Sequence, residues 1–405
     1  MQSVPELVEK HANAYARGLV RRVVQPGILQ SVLEQEIHAI LAEIFQQRIE
    51  AEFAVATQRD RYDRVDGAPW RNGHKPVTVP GFGGPITLAR PVPRTGSVRL
   101  PALEALKAAG RNLRDVLAVR FWLRGASTRA VADELHAALG ARIGKSTVSA
   151  LTEVLEPTVR AWQERPVPPG IQYLLLDALY IPVRRPGFTS SQALLLAMGI
   201  DLEGRKHVLG GLLGDRECED SWTALLKDLK ARGLDRKGIR LVISDEHKAI
   251  EAAVAKELAV PHQLCLVHLL RNLKARVARP DWKAVLVDLH AIFWAPSEAA
   301  ARQALGRFET RWGSRYPKVV SLVLRRIEDF LRFFAEPSAF WTALRSTNLL
   351  ERLNRELRRR LRPAGAMQSE LELWKLIWSS TTEQEKRWGT RRIWAPRAAR
   401  QLAAA

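Results

Sequence analysis

The hydrophobic pattern of the chain changes near residue 170, and no other sequence feature constrains its fold as strongly. From this point apolar residues form short continuous runs, separated by Gly187 and Gly204, in place of the helical spacing that precedes them. The pattern predicts three strands, a helix, a strand, a helix and a strand, at residues 171–184, 192–201, 207–213, 221–232, 239–243, 248–258 and 263–267. We therefore expect an α/β unit in this part of the chain.

That order of elements is the order of the ribonuclease-H-like fold, and helical patterns lie on both sides of it. The predicted fold class is multidomain α+β, with a ribonuclease-H-like α/β core preceded by helical and helix-turn-helix regions. The predicted regions are 1–60 (helical), 61–100 (a small β element rich in Arg, Pro and Gly), 101–165 (helix-turn-helix), 166–270 (first part of the core), 271–345 (all-α) and 346–405 (a helix with an acidic residue, then basic C-terminal helices).

The first region contains apolar residues at helical spacing between positions 28 and 44, after Pro26 and Gly27. Such a helix either binds a partner or a second copy of the chain, or packs on its own domain. The sequence leaves both alternatives open.

Two short helices around residues 128–155 form a helix-turn-helix candidate. Ser127 and Ser146 are predicted to cap them, and Gly140 and Gly144 lie in the turn between them. In such a unit the start of the second helix enters the major groove. The residues expected to contact DNA are Lys145, Ser146, Thr147 and Ser149. An ordinary helical pair in a core is the alternative.

Net charge and cysteine count narrow the class of protein. The 405 residues include 63 Lys or Arg and 43 Asp or Glu, for a formal net charge of +20, which indicates a polyanionic partner such as nucleic acid. No apolar run approaches the ~20 residues that span a bilayer, and residues 1–15 do not resemble a signal peptide. We expect a cytoplasmic protein without a membrane partner. With only Cys218 and Cys265, a disulfide framework and a four-cysteine zinc site are excluded.

Two acidic residues occupy positions typical of a metal site. Asp177 lies inside the apolar first strand, where an unpaired carboxylate is costly to bury. Asp245 lies at the end of the fourth strand, and strand ends of α/β sheets collect ligands and metals. In the ribonuclease-H-like order these two strands are neighbours, so both carboxylates can face one ion.

A third acidic residue, Glu351, lies on a basic helix near the C-terminus. Glu351 and Arg358 are seven residues apart and share a helix face, so together they can hold a phosphodiester at a metal. An exposed basic helix with incidental acids is the alternative. The residues of this helix expected to contact DNA are Arg352, Arg355, Arg358 and Arg359.

An acidic cluster follows the third strand. It consists of Asp215, Glu217, Glu219 and Asp220. A second metal site and an acidic loop before a helix both fit the pattern, and the loop is favoured.

Several fragments carry a family resemblance through their order and spacing. They include Leu-Asp-Ala-Leu-Tyr at 176–180 and Thr-Asn-Leu-Leu-Glu-Arg-Leu-Asn-Arg at 347–355, with further fragments at 71–73, 86–94, 146–149, 229–234, 244–245 and 263–268. From about residue 60 to 395 the chain resembles bacterial insertion-sequence transposases of the IS256 family, which are related to Mutator-type transposases.

The resemblance implies a DDE transposase whose three acids are Asp177, Asp245 and Glu351. It implies two Mg²⁺ ions, with Mn²⁺ as a substitute, that support DNA strand cleavage and strand transfer. The partners implied are double-stranded DNA, as terminal inverted repeats and target, and a second copy of the chain on that DNA. Residues 271–345 become a helical insertion. The Cys-x-x-His of the family maps to Cys265 and His268, interpreted as structural or as hydrogen-bond partners of the metal ligands.

Two other functions remain open at this point. One is a catalytically silent helix-turn-helix regulator that binds DNA. The other is a ribonuclease-H-like nuclease that cuts without joining.

Overall fold

The computed structural model describes residues 26–57, 71–81, 84–139, 143–185, 188–364 and 369–394. The chain forms two compact units, residues 1–154 and 155–405. Both contain helices and strands, which confirms the predicted α+β class. The helical pattern before residue 26, Gly140 of the predicted turn and the end of the predicted basic C-terminal helices lie outside the described residues.

The first unit places a long helix against a hairpin. Its elements are α1 (Pro26–Thr57), β1 (Arg71–Gly81), β2 (Gly84–Pro93), α2 (Pro101–Leu123), α3 (Thr128–Leu139) and α4 (Lys145–Glu153). Ile49 and Phe53 of α1 are buried against Val79, Ile86 and Leu88 of the hairpin. Of the two alternatives for the first helix, the structure shows packing on its own unit.

Helices α3 and α4 occupy the place of the predicted helix-turn-helix. The backbone N–H of Ala130 donates to Ser127 Oγ at 3.2 Å, so Ser127 caps α3 as expected. The cap predicted at Ser146 is wrong, because α4 begins at Lys145 after Gly144 and no side chain in the described part of the chain caps it. Lys145, Ser146 and Thr147 are exposed and Ser149 is half-buried.

The second unit is built on a mixed five-stranded sheet. Its strands are β3 (Ile171–Arg185), β4 (Phe188–Asp201), β5 (Lys206–Gly214), β6 (Leu241–Ser244) and β7 (His262–Leu264), in the order β5-β4-β3-β6-β7. Strand β3 is antiparallel to β4 and parallel to β6, and β7 continues the parallel direction. All five predicted strands occur in the predicted order.

The last predicted strand, 263–267, is too long at its C-terminal end. Strand β7 ends at Leu264, and helix α8 (Leu266–Lys274) begins almost at once. Leu266, Leu269 and Leu273 are buried along one side of that helix. The first residues of this helix therefore belong to the short apolar run from which the strand was predicted.

The two faces of β3 bury different partners because side chains alternate along a strand. Leu174 and Leu176 face the helices α6 (Glu219–Ala231) and α7 (Lys248–Glu257), and Trp222 of α6 is fully buried there. On the other face Tyr173 packs edge-on against Phe340 and Trp394, with ring centroids 6.1 and 5.7 Å away. Asp177 lies four residues after Tyr173 on the same strand, so its side chain points to this second face.

Every residue between 271 and 345 is described, and this segment contains no strand, as predicted. Its helices after α8 are α9 (Trp282–Phe293), α10 (Glu298–Trp312), α11 (Pro317–Arg325), α12 (Ile327–Leu331) and α13 (Trp341–Leu344). Two long helices follow, α14 (Asn348–Ala364) and α15 (Glu370–Trp388). Helix α5 (Glu156–Gln163) also belongs to this second unit, where Trp162 packs on Trp374 of α15 at 6.5 Å.

Among the described residues, no helix is both long enough and apolar enough to cross a membrane.

Two glycines give opposite stability predictions. A Cβ on Gly211 of β5 would lie 2.5 Å from the carbonyl oxygen of Leu195 on β4, whereas a Cβ on Gly306 of α10 meets nothing within 4 Å. We expect Gly211→Ala to lower the free energy of unfolding by more than about 2 kcal/mol. Gly306→Ala should raise it by about 0.5–1 kcal/mol, because a helical glycine loses more backbone entropy than alanine. Urea unfolding measures both, and equal effects would contradict the prediction.

Candidate active site

The sheet places two of the predicted acids side by side. Leu175 of β3 pairs with Ile243 of β6 in parallel register. Asp177 follows Leu175 by two residues and Asp245 follows Ile243 by two residues, so both acids lie on the same face of the sheet. The parallel pairing of these strands therefore determines the position of both carboxylates.

Helix α14 places the third acid. Its apolar side, formed by Leu350, Leu353 and Leu357, is buried. Glu351 lies beside that side and points into a cavity of about 310 Å³. The structure brings all three predicted acids to this cavity, whose lining is Asp177, Ala178, Tyr180, Glu217, Asp245, His268, Arg271, Glu351, Arg355 and Arg358.

Burial dominates the electrostatics of the acids. The Asp177 side chain is almost out of reach of water, with the residue only 8% exposed. This burial raises the pKa of Asp177 to about 6, with a further contribution from the charges of Asp245 and Glu351 and an opposing one from His268. Burial also raises the pKa of Asp245. The site therefore holds carboxylates whose ionised forms lack solvation.

Among the residues that the structure describes, two carboxylate oxygens of the cavity accept no hydrogen bond. They are Asp245 Oδ1 and Glu351 Oε1, both out of contact with solvent. Buried carboxylate oxygens without donors suit a hard divalent cation such as Mg²⁺. In the described part of the chain, no three acidic, histidine or cysteine side chains are already gathered closely enough to hold an ion. The chemistry of the donor set fits a divalent metal.

Cys265 contacts the residue that precedes helix α14, and His268 contacts Glu351 itself. Cys265 is buried, and its sulfur accepts hydrogen bonds from the N–H and the hydroxyl of Thr347, both at 3.3 Å. His268 Nε2 lies 3.4 Å from Glu351 Oε1, and an Arg271 nitrogen lies 3.6 Å from the same oxygen.

The protonation state of His268 determines whether its imidazole can bind a metal. Its hydrogen bond to Cys265 raises the pKa of His268 to about 9, and the negative charges of Cys265, Asp177 and Asp245 add to this effect. A protonated imidazole has no lone pair for a metal. At neutral pH His268 therefore acts as a counter-charge to the acids, next to Glu351.

The predicted arginines divide into two pairs. Arg355 and Arg358 line the cavity, and neither forms an ion pair within the described residues. Arg352 and Arg359 are exposed and outside the cavity lining. Arg359 donates to Glu356 at 2.9 and 2.8 Å. Only the first pair is free to reach a group bound beside the acids.

Sequence reasoning missed several polar residues of the site, of which Asn354 is the most buried. Asn354 is 1% exposed, and its Nδ2 donates to Asp177 Oδ2 at 2.7 Å. It lies one turn after Glu351, next to the buried Leu353. No local pattern sets it apart from a solvated amide, although it lies in the fragment at 347–355 that carries the family resemblance. Glu217 and Arg271 also line the cavity, whereas the sequence favoured an exposed acidic loop for Glu217.

Comparison with known proteins assigns a family. The family model of the Mutator transposases matches residues 11–390. The chain belongs to the Mutator family of transposases. The resemblance found in the sequence is thereby confirmed.

Individual Mutator-family relatives match across most of their length. The chain is 36% identical to the transposase for insertion sequence element IS406 of Burkholderia multivorans, over 82% of this chain and 86% of the relative. It is 32% identical to the transposase for IS256 in transposon Tn4001 of Staphylococcus aureus, over 83% and 87%. Against the transposase for ISRM5 of Rhizobium meliloti the identity is 31%, over 87% and 88%.

A solved structure with a similar chain is the Drosophila P element transposase strand transfer complex. The TM-score is 0.32 and the identity 9%, over 73% of this chain and 86% of that chain. A likeness at this level does not specify the fold.

The raised pKa of Asp177 predicts a pH-dependent stability. In the unfolded chain this carboxyl ionises near pH 4, but in the folded, metal-free protein it ionises near pH 6. The folded state therefore loses stability as pH rises from 4 through 6. We expect metal-free Asp177→Asn to exceed the wild type by about 1–3 kcal/mol at pH 7.5 and to match it at pH 4.

Urea unfolding in a chelator measures this difference. Asp220→Asn, at an exposed position at the start of α6, is the control and should change stability by less than about 0.5 kcal/mol at either pH. A wild type as stable as Asp177→Asn at pH 7.5 would contradict the prediction.

Removing the amide of Asn354 should destabilise the protein most where Asp177 is charged. Loss of a hydrogen bond to a charged group costs about 1.5–3 kcal/mol. We expect Asn354→Ala to show this loss at pH 7.5 and a smaller one at pH 4. The control is Asn272→Ala, at an exposed position of α8. Losses of equal size at the two pH values would assign Asn354 a packing role only.

Proposed function

We propose that this Mutator-family protein is a DDE transposase, which binds the ends of its insertion sequence and performs DNA strand cleavage and strand transfer. The observation that carries the proposal is the convergence of Asp177, Asp245 and Glu351 on one cavity together with Arg355 and Arg358. The three acids come from a strand, the end of a second strand and a helix, and Asp177 and Glu351 are 174 positions apart in the sequence. Metal ligands and phosphate-binding groups thus share one site.

The sheet supports a ribonuclease-H-like interpretation of the core. Its order β5-β4-β3-β6-β7 places the first strand of the unit at the centre, between an antiparallel meander and two parallel strands. The all-helical segment 271–345 lies between β7 and α14, as expected for an insertion. The acids lie at the centre of the sheet, where β3 and β6 meet.

Each residue of the site then has a task. Asp177, Asp245 and Glu351 would hold two Mg²⁺ ions, for which Mn²⁺ can substitute. Metal bound there would supply activation of the attacking oxygen and stabilisation of the leaving one. Asn354 holds the carboxylate of Asp177 in place, and protonated His268 holds that of Glu351.

Arg355 and Arg358 bind the phosphodiester beside the acids. No side chain needs to form a covalent bond to DNA.

The partner is double-stranded DNA, as terminal inverted repeats and as target. We propose that the exposed start of α4, with Lys145, Ser146 and Thr147, reads the repeat as the second helix of a helix-turn-helix. The net charge of +20 supports binding that weakens steeply with salt. Two ends must be joined in one reaction, so a homodimer on DNA is expected.

The decisive test is Mg²⁺-dependent nicking of a labelled duplex that carries the element's terminal repeat. We expect wild type to nick at the end of the repeat, and Asp177→Ala, Asp245→Ala and Glu351→Ala to bind the duplex in gel shifts without cutting. Glu298→Ala, on α10 outside the cavity lining, is the control that should cut like wild type.

Other outcomes identify the alternatives. Tight binding without cutting in Mg²⁺ or Mn²⁺ would favour a DNA-binding regulator. Cutting without transfer of a pre-nicked end to target DNA would favour a nuclease. Activity retained only by Glu351→Ala would show that another residue is the third acid.

A further inference from the structure

A fourth carboxylate points into the cavity of the three acids. Glu217 lies between the end of β5 and the start of α6, and it lines the same cavity as Asp177, Asp245 and Glu351. Its side chain is only 7% exposed. The other members of the acidic cluster, Asp215, Glu219 and Asp220, are exposed and outside the cavity lining. The structure thus separates one acid from a group that looked uniform in sequence.

The contacts of Glu217 orient it without neutralising it. Trp222 Nε1 donates to Glu217 Oε1 at 3.2 Å, and the Tyr180 hydroxyl donates to Oε2 at 3.5 Å. His247 Nδ1 lies 3.5 Å from Oε1. Within the described residues no arginine or lysine forms an ion pair with it. One neutral donor therefore orients each oxygen, and within the described residues no lysine or arginine matches the negative charge.

The negative charges of Glu217 and Asp245 repel each other. Burial raises the pKa of Glu217, and the negative charge of Asp245 raises it further, against an opposing effect of His247. Asp245 Oδ1 is itself buried and without a donor. Two acids whose negative charges repel each other in one cavity are stabilised together by one divalent cation.

We propose that Glu217 is a fourth metal-binding carboxylate of this site, shared with Asp245 and taking a divalent cation of the Mg²⁺ class. The proposal rests on the proposed function, because it assumes the same metal site, and it deepens that function by adding a ligand outside the three acids. Trp222, fully buried in the core, is the anchor that keeps Glu217 directed at the cavity.

The alternative role for Glu217 is structural, as an acceptor that fastens the segment before α6 to Trp222 and Tyr180. Glu217→Gln separates the two roles. Its amide oxygen can still accept from Trp222, while the negative charge is lost. Glu217→Asp keeps the charge on a shorter side chain. Glu219→Gln is the matched control, because Glu219 is 48% exposed and lies 3.7 Å from Lys256 instead of in the cavity.

The experiment is a calorimetric titration of the full chain with Mn²⁺, without DNA, for wild type and these three variants and for Asp245→Asn. We expect Glu217→Gln to weaken Mn²⁺ binding at least about tenfold. Glu217→Asp should retain part of the affinity, and Glu219→Gln should bind like wild type. Metal-free Glu217→Gln should melt at the same temperature as wild type or higher, because a buried charge is removed.

Each result decides a different claim. Mn²⁺ affinity unchanged in Glu217→Gln but lost in Asp245→Asn overturns the fourth ligand and leaves the proposed function standing. Unchanged affinity together with a lower melting temperature in Glu217→Gln assigns it the structural role. A wild type that binds no Mn²⁺, or an Asp245→Asn that binds normally, overturns the metal site and the proposed function with it.

Discussion

The rest of the second unit depends on one unfavourable burial, that of the Asp177 carboxylate inside an apolar strand. Leu175, Leu176 and Leu179 around it are fully buried, so the charge has almost no water to solvate it. Its solvation is replaced by a backbone hydrogen bond at Ala178, by a hydrogen bond from Asn354 and by the nearby charge of His268. The two side chains do not come from the sheet. The strand that holds Asp177 therefore requires helices α8 and α14 to be docked before its own charge is compensated.

The docking of these helices runs through a short chain of contacts. The N–H of Cys265 donates to the carbonyl of Ser244 at 2.7 Å, directly before Asp245. The sulfur of Cys265 accepts from Thr347, and the N–H of Glu351 donates to the carbonyl of Thr347 at 2.8 Å. A single buried cysteine thus connects the strand end that carries the second acid to the first turn of the helix that carries the third. Cys265 therefore has a structural role, linking these two segments, that requires no contact with a metal.

Sequence reasoning predicted the features set by local periodicity. The strands, their order, and the positions of Asp177, Asp245 and Glu351 followed from apolar runs interrupted by acids and from a family resemblance. It failed where a contact joins distant segments. Asn354 and Asp177 are 177 residues apart, and nothing local distinguishes Asn354 from a solvated amide. Glu217 is distinguished from Glu219 by its contacts with Trp222 and Tyr180. Arg355 is distinguished from Arg359 by its place in the cavity lining. Predicted element boundaries were wrong where the spacing of apolar residues changes from that of a strand to that of a helix, as at the end of β7.

The long helical segment between β7 and α14 has a physical consequence for assembly of the site. Closing a loop of this length costs conformational entropy, but a segment with its own core brings its ends together as it folds. Phe293, Phe330, Phe333 and Phe340 are buried, and Phe293 packs edge-on against Phe330 at 6.2 Å. Arg345, at the end of the segment, lies over the rings of Trp294 and Phe333, and the N–H of Leu266 at its beginning donates to the carbonyl of Arg345 at 3.0 Å. The two ends therefore meet beside the sheet, and the third acid reaches the first two only when this segment has folded.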